Sequence, residues 1–157
     1  MKIVTFELAT PVGRVRRLGA FADELPDMIV DLNAAFCRSL ADGGEEPTPR
    51  EYAALRLPPD MLGWLRAGRP GMNAAQQAIA YVSENVAAIG LDGETLLHPR
   101  ASVRLIAPLP RPTAFRDFSI YEEHMTRAEG KPFEKAPDWY VTPPYYIQGQ
   151  LHRHLRP

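Results

Sequence analysis

The residue types that could do chemistry fall close together in the stretch 116–124. Ser119, followed three residues later by Glu122, is a capping-box pattern and predicts a helix that begins at Ser119. Asp117 then lies just before this helix, and His124 lies on its second turn. If the loop before the helix folds back, a carboxylate and an imidazole share one cleft. Such a pair suits a metal-bound substrate attacked by a water that the histidine activates.

The same residues also have a structural interpretation, which spacing alone favours. An aspartate beside a helix start stabilises the helix through its dipole, and a histidine among glutamates is typical of a solvated helix face. The sequence contains no HExxH motif, no glycine-rich phosphate loop and no G-x-S-x-G elbow. His152 and His154 are close together, but they lack acidic or thiol neighbours in the sequence and make a weak metal site.

The first thirty residues are typical of a small antiparallel sheet or barrel. Residues that favour strands occupy 3–6, 13–21 and 28–32, and turn signals separate them at 10–13 and 23–27. We therefore predict three short strands joined by tight turns.

Residues 32 to about 89 have helical periodicity, beginning with two well-bounded helices. Asn33 can cap a helix that runs through Leu40 and is ended by the glycines at 43–44. Thr48 predicts the next N-cap, with Pro49 at the first helical position and an acidic residue three positions after the cap.

Two further helices are predicted before the sequence returns to strands. Residues 58–60 open a short helix that the glycines at 68–71 close, and 73–88 form an amphipathic helix. Trp64 is interpreted as a core or interface anchor. Cys37, the single cysteine, lies in an apolar helical stretch and is interpreted as a buried structural thiol.

Strand patterns return at 95–98 and 103–106, and the proline-rich segment 108–112 predicts an extended connector. We place a domain boundary there, with an N-terminal domain at 1–107 and the start of a second domain at 108–157. The fold class expected is α+β, with a small β-rich leading domain that also contains helices.

Bulk composition narrows the function classes. The 157 residues are 45% hydrophobic and carry a formal net charge of −1, so no basic excess suggests nucleic acid or an anionic membrane as a partner. No apolar stretch approaches the roughly 20 residues of a membrane span. A charge at Glu7 interrupts any apolar run of a signal peptide, and a lone cysteine fits a reducing compartment. A cytoplasmic location is expected.

A series of short motifs resembles the fumarylacetoacetate hydrolase family. The motifs that carry the resemblance are Pro108-Leu109-Pro110-Arg111-Pro112, Arg116-Asp117-Phe118, Glu123-His124, Pro137-Asp138-Trp139-Tyr140 and Pro143-Pro144-Tyr145-Tyr146. The segments 2–6 and 29–33 also resemble the family's N-terminal domain, so the likeness extends to about Gly149. The resemblance rests on the order and spacing of the motifs together.

The resemblance implies a metal-dependent hydrolase that cleaves carbon–carbon bonds in β-diketo acids of the acylpyruvate type, as in aromatic catabolism. It also implies that the second domain is the opening of a mixed β-roll. Asp117 matches the first ligand of a divalent metal (Mg²⁺, Ca²⁺ or Mn²⁺), and His124 matches the general base. Tyr146 matches a substrate-contacting tyrosine, with its neighbour Tyr145 as the alternative. Members commonly dimerise, which allows a homodimer.

One departure from the family concerns the metal. The family supplies two glutamates and a further aspartate to the metal, and a glutamate that orients the base, from a region that follows the segment matched here. We therefore expect a truncated protein that is inactive alone. The tail 150–157 breaks the family pattern, and one permissible set of codons for it, read one base later, gives a segment ending Gly-Pro as in the family. This suggests a frameshifted reading frame after Gly149.

Three interpretations therefore stay open. The chain is the N-terminal portion of such an enzyme, a stand-alone binding or dimerisation module built from the leading domain, or an inert product of a frameshifted gene. Within the family, the sequence alone does not separate a hydrolase from a decarboxylase, an isomerase or a hydratase, although His124 favours a hydrolase.

Overall fold

The computed structural model describes residues 1–109 with their side chains, and the backbone of two further strands at 115–118 and 146–149. The chain divides into two compact units, Met1–Pro110 and Arg111–Pro157. The first unit is α+β, with a five-stranded antiparallel sheet and three α-helices. The predicted fold class is confirmed at this level.

The sheet of the first unit has the strand order β4-β3-β2-β1-β5. Its strands are β1 (Lys2–Thr10), β2 (Gly13–Ala22), β3 (Leu25–Asp31), β4 (Leu97–Pro99) and β5 (Arg104–Ile106). The first three form a meander through tight turns, as predicted. The last two pair with opposite edges of that meander, since β4 pairs with β3 and β5 pairs with β1.

The three α-helices are α1 (Leu32–Gly43), α2 (Pro49–Arg56) and α3 (Met61–Glu84), and a 3₁₀ helix at Arg100–Ser102 connects β4 to β5. Helix α1 ends at Gly44, whose φ of 71° is left-handed and whose N–H donates to the carbonyls of Leu40 and Ala41. Helix α2 begins after Thr48 with Pro49 in its first turn. The glycine end of α1 and the position of the α2 start agree with the sequence prediction, but the Thr48 side chain makes no capping hydrogen bond, so the predicted capping box does not form.

The N-cap of α1 is Asp31, and the prediction of Asn33 is wrong. The Asp31 carboxylate accepts a hydrogen bond from the backbone N–H of Ala34 at 3.2 Å, which satisfies a free donor of the first turn. Asn33 lies inside that turn, and its side-chain amide donates to the Leu57 carbonyl at 2.9 Å. The predicted third strand accordingly ends at Asp31 instead of continuing to Leu32.

The short helix predicted between residues 58–60 and the glycines at 68–71, and the helix predicted at 73–88, are two segments of α3, separated by a break at Gly68. This glycine has φ 60° and ψ −139°, a conformation that side-chain-bearing residues rarely adopt. The helix resumes at once because Pro70 falls in the first turn after the break, where a missing N–H costs nothing. Its C-terminal end is Glu84, four residues before the predicted end at Ala88.

One face of the sheet packs beneath the helices. The core joins Leu18, Ala20 and Val30 of the sheet to small and apolar residues of all three helices. The helical members are Leu32, Ala34, Ala35, Phe36, Cys37, Ala53, Met61, Trp64, Ala74, Ala75, Ala78 and Val82. Trp64 and Cys37 are buried, as the sequence predicts.

Gly19 allows two large side chains to meet across the sheet. A Cβ at this position would lie 2.7 Å from Cγ2 of Ile29, 2.8 Å from Cε1 of Phe6 and 2.9 Å from the Val30 carbonyl oxygen. All of these distances are shorter than van der Waals contact. Ile29 and Phe6 are fully buried, so neither can move aside freely.

We expect the substitution Gly19→Ala to lower the free energy of unfolding by about 1–3 kcal/mol, the usual cost of overpacking a core. Urea denaturation followed by circular dichroism measures this. Gly43→Ala is the matched control, because no heavy atom lies within 4 Å of its added Cβ. It should leave the stability unchanged or raise it by up to about 1 kcal/mol, because Gly43 is the last residue of α1 and alanine favours a helix more than glycine does. Equal stability of the two variants would show that the sheet tolerates a side chain at residue 19.

Candidate functional site

Two of the three predicted site residues lie on paired strands of the second unit. Strands β6 (Phe115–Phe118) and β7 (Tyr146–Gly149) form an antiparallel two-stranded sheet. Its register pairs Phe118 with Tyr146 and Asp117 with Ile147. Asp117 and Tyr146 are therefore one step apart in register on neighbouring strands, although residues 118–145 separate them in the sequence.

The third predicted site residue, His124, lies outside the described residues, as do the helix predicted from Ser119, the alternative tyrosine Tyr145, and the pair His152 and His154. The pairing of a carboxylate with an imidazole therefore stays a prediction. The same holds for the metal that Asp117 would bind. Among the residues that the structure describes, no group of three or more His, Cys, Asp or Glu side chains could hold a metal ion.

Sequence reasoning missed a buried polar cluster in the first unit. Asp31 is only 1% exposed, and its carboxylate accepts from Nε of Arg17 at 2.7 Å in addition to the backbone N–H of Ala34. Arg17 lies on β2, while Asp31 ends β3. A buried carboxylate needs such partners because an unpaired charge in a low-dielectric core is costly. Both oxygens are engaged, so this carboxylate is structural.

His98 on β4 is the second polar member of this region. It is 8% exposed, its ring lies 5.5 Å from that of Phe6, and its Nε2 has no hydrogen-bond partner among the described residues. Burial lowers the pKa of His98 below its ordinary value, and the nearby Arg17 guanidinium acts in the same direction. The negative charge of Asp31 and a hydrogen bond with the Thr95 backbone oppose the shift. The imidazole is therefore neutral in the fold near pH 7.

Cys37 has no nucleophilic role in this arrangement. Its side chain is buried in the core of the first unit, and burial raises the pKa of the thiol. The protonated thiol is a poor nucleophile, and a buried one is also inaccessible.

Two surface grooves lie in the first unit. One, of about 330 Å³, lies at the break in α3 and is lined by Trp64, Leu65, Gly68, Arg69 and Met72. The other, of about 390 Å³, lies between the second half of α3 and the β2–β3 turn, and it is lined by Met1, Glu24, Gln76, Ile79, Ala80, Ser83 and Glu84. Neither contains a residue that the sequence assigned to catalysis.

A weak sequence signal did exist for the buried cluster. Asp31 follows a run of strand formers and precedes an apolar helical run, which is the position of an N-cap. Arg17 and His98 carried no such signal, because only the strand register shows that they approach the same carboxylate. The polar side chains of Asp31 and Arg17 thus stabilise the fold of the first unit.

The pKa of His98 predicts a loss of stability in acid. Because the folded protein binds this proton less readily than the unfolded chain, the stability is complete above the unfolded histidine pKa of about 6.5 and falls as the pH drops below it. One proton allows a slope of at most about 1.4 kcal/mol per pH unit. Urea denaturation at pH 7.5 and 5.5 should show a smaller decrease for His98→Leu than for the parent chain. Parallel decreases would mean that other groups cause the acid sensitivity.

Comparison of the chain with protein-family models, with curated proteins and with solved structures found no match.

Proposed function

We propose that this chain forms the N-terminal domain and the first catalytic strands of a metal-dependent enzyme similar to the fumarylacetoacetate hydrolases. Its substrates would be β-diketo acids of the acylpyruvate type, and its second unit would open a mixed β-roll. The observation that carries the proposal is the ordered series of family-like motifs from Pro108 to Tyr146. The pairing of β6 with β7 brings two motif segments that are far apart in sequence onto adjacent strands, but Asp117 pairs with Ile147 and not with Tyr146, so Asp117 and Tyr146 occupy positions on opposite faces of this sheet.

Asp117 alone does not fit a complete divalent-metal site. Mg²⁺ takes six oxygen ligands and Ca²⁺ six to eight, and the described residues contain no acidic cluster that could supply them. The proposal therefore assigns Asp117 one position in the coordination shell and requires further carboxylates from outside the described residues. A bound metal would supply Lewis acidity to the two oxygens of a diketone.

The chain's own residues would carry out the proton transfers. His124 accepts a proton from water while the water oxygen bonds to the carbonyl carbon. The carbon–carbon bond next to that carbon then breaks, and its electron pair leaves with the second fragment as an enolate. His124 returns the proton to the enolate carbon, so one water is added across the broken bond and the products are a carboxylic acid and a ketone. Tyr146 would donate its hydroxyl hydrogen bond to a substrate oxygen and orient it.

The test begins with the DNA that follows the codon for Gly149. We expect one of its frames to encode acidic residues in a family-like continuation, and the polypeptide extended through it to hydrolyse an acylpyruvate when Mg²⁺ or Mn²⁺ is added. In that polypeptide Asp117→Asn should weaken metal binding by at least about 100-fold, since it removes a direct ligand. His124→Gln should lower turnover by about 10²–10⁴-fold while leaving metal binding intact.

Asp27→Asn is the control, because Asp27 is an exposed carboxylate in the first unit. This substitution should change neither metal binding nor turnover. The chain of 157 residues should show no turnover and only weak metal binding by calorimetry. Tight binding of a divalent metal by this chain alone, or downstream DNA without acidic residues in any frame, would contradict the proposal.

A non-catalytic binding or dimerisation module is the second candidate. The observation that favours it is the self-contained core of the Met1–Pro110 unit, which the sheet and three helices supply without the second unit's strands. Residues 1–110 expressed alone should then unfold in a single cooperative thermal transition and, as a dimerisation module, sediment as a dimer. Sedimentation of residues 1–110 as a monomer would contradict the dimerisation role. The absence of a cooperative thermal transition would contradict the proposal of an independently folded module.

A further inference from the structure

The groove at the break in α3 combines an apolar floor with an exposed arginine, Arg69, that forms no ion pair within the part of the chain that the structure describes. We propose that it binds a small aromatic carboxylate, with Arg69 pairing with the carboxylate and Trp64, Leu65 and Met72 contacting the ring. The site lies in the first unit and is independent of the residues assigned to catalysis.

The break in α3 creates the groove and also fixes its floor. Nε1 of Trp64, in the first helical segment, donates to the carbonyl oxygen of Gly71 in the second segment at 3.1 Å. This hydrogen bond joins the two segments across Gly68. The one polar atom of the indole is thereby satisfied within the protein, so the ring offers a ligand only its apolar surface.

Two apolar side chains that line the groove are exposed to solvent. Leu65 is 54% exposed and Met72 is 37% exposed, while Trp64 is 7% exposed. A thioether such as that of Met72 makes favourable contacts with the edges of aromatic rings and adapts to their shape. These contacts favour a ring over a straight alkyl chain.

The charge at the groove selects an anion. Arg69 is exposed and forms no ion pair with any residue in the described part of the chain. Arg66 is also exposed, and no acidic residue occurs from 61 to 83. The second helical segment begins beside Arg69, so its positive end adds to the same field. A carboxylate at this position meets an uncompensated positive potential.

The size of the groove favours a small molecule over a protein partner. Its volume of about 330 Å³ is at the lower end of the range for ligand sites, and five residues line it. A stable protein interface uses roughly 20–30 residues from each side. A phenylalkanoate such as 4-phenylbutanoate has the required ring, chain length and charge.

The test is titration of the full chain with 4-phenylbutanoate, followed by calorimetry and by the indole N–H signal of Trp64 in NMR spectra. A Trp139→Phe variant leaves a single indole signal for assignment. For a ligand of this size in an open groove we expect a dissociation constant on the order of 0.1–1 mM, with the Trp64 signal shifting on binding.

Paired variants test the role of Arg69. Arg69→Gln should raise the dissociation constant about three- to tenfold, and Arg66→Gln, a neighbouring exposed arginine that does not line the groove, should raise it less than about twofold. The neutral amide 4-phenylbutanamide should bind more weakly than the acid to the parent chain, but equally with the acid to Arg69→Gln. Both substitutions are at exposed positions, so circular dichroism should show unchanged folds.

Three outcomes of the titrations would overturn the proposal. The acid and the amide bind the parent chain equally, the two arginine variants lose affinity equally, or the Trp64 signal does not respond. Binding of the chain to phosphatidylglycerol vesicles without any binding of free 4-phenylbutanoate would also overturn it, and would identify the exposed apolar and basic residues as a lipid-binding surface.

Discussion

The buried carboxylate of Asp31 is the interaction on which the first unit depends. Asp31 lies where β3 ends and α1 begins, and it forms hydrogen bonds with α1, with Arg17 on β2 and with the segment just before β4. One oxygen caps the first turn of α1 through the Ala34 N–H, and the other accepts from Arg17 on β2. Its own backbone N–H donates to the Leu96 carbonyl at 2.8 Å, just before β4. Loss of any one partner would leave a buried charge or donor unsatisfied.

The hydrogen bonds at Asp31 set the direction in which α1 leaves the sheet. Helices α2 and α3 then pack against α1. Helix α1 packs against both α2 and α3. The buried core contains Ala34 and Ala35 of α1 and Ala74, Ala75 and Ala78 of α3, small side chains that allow helices to approach closely. The Trp64 hydrogen bond to Gly71 then fixes the break in α3 in a core that is already closely packed.

Local signals in the sequence predicted most of the first unit. The meander, the glycine stop of α1 and the threonine–proline start of α2 all depend on residues within a few positions of one another. The errors arose where a distant contact decided between two local options. Asp31 and Asn33 are both good N-caps, and the choice of Asp31 depends on Arg17, which lies fourteen residues away across the sheet. The burial of His98, whose Nε2 has no hydrogen-bond partner within the described ranges, likewise depends on strand register, which a single sequence does not reveal.

The candidate catalytic residues were identified by motif resemblance and not by periodicity. The strand pairing indicates which further structural support these residues would need. Asp117 and Tyr146 occupy neighbouring strands of a sheet that has two strands in the described part of the second unit. An isolated two-stranded sheet is marginally stable in water, because it buries too little apolar surface to offset the entropy of ordering its backbone. Catalysis requires side chains held to within about 0.5 Å of their working positions. More strands on this sheet would therefore have to do two things together, completing the carboxylate set around a metal and giving Asp117 and Tyr146 a rigid support.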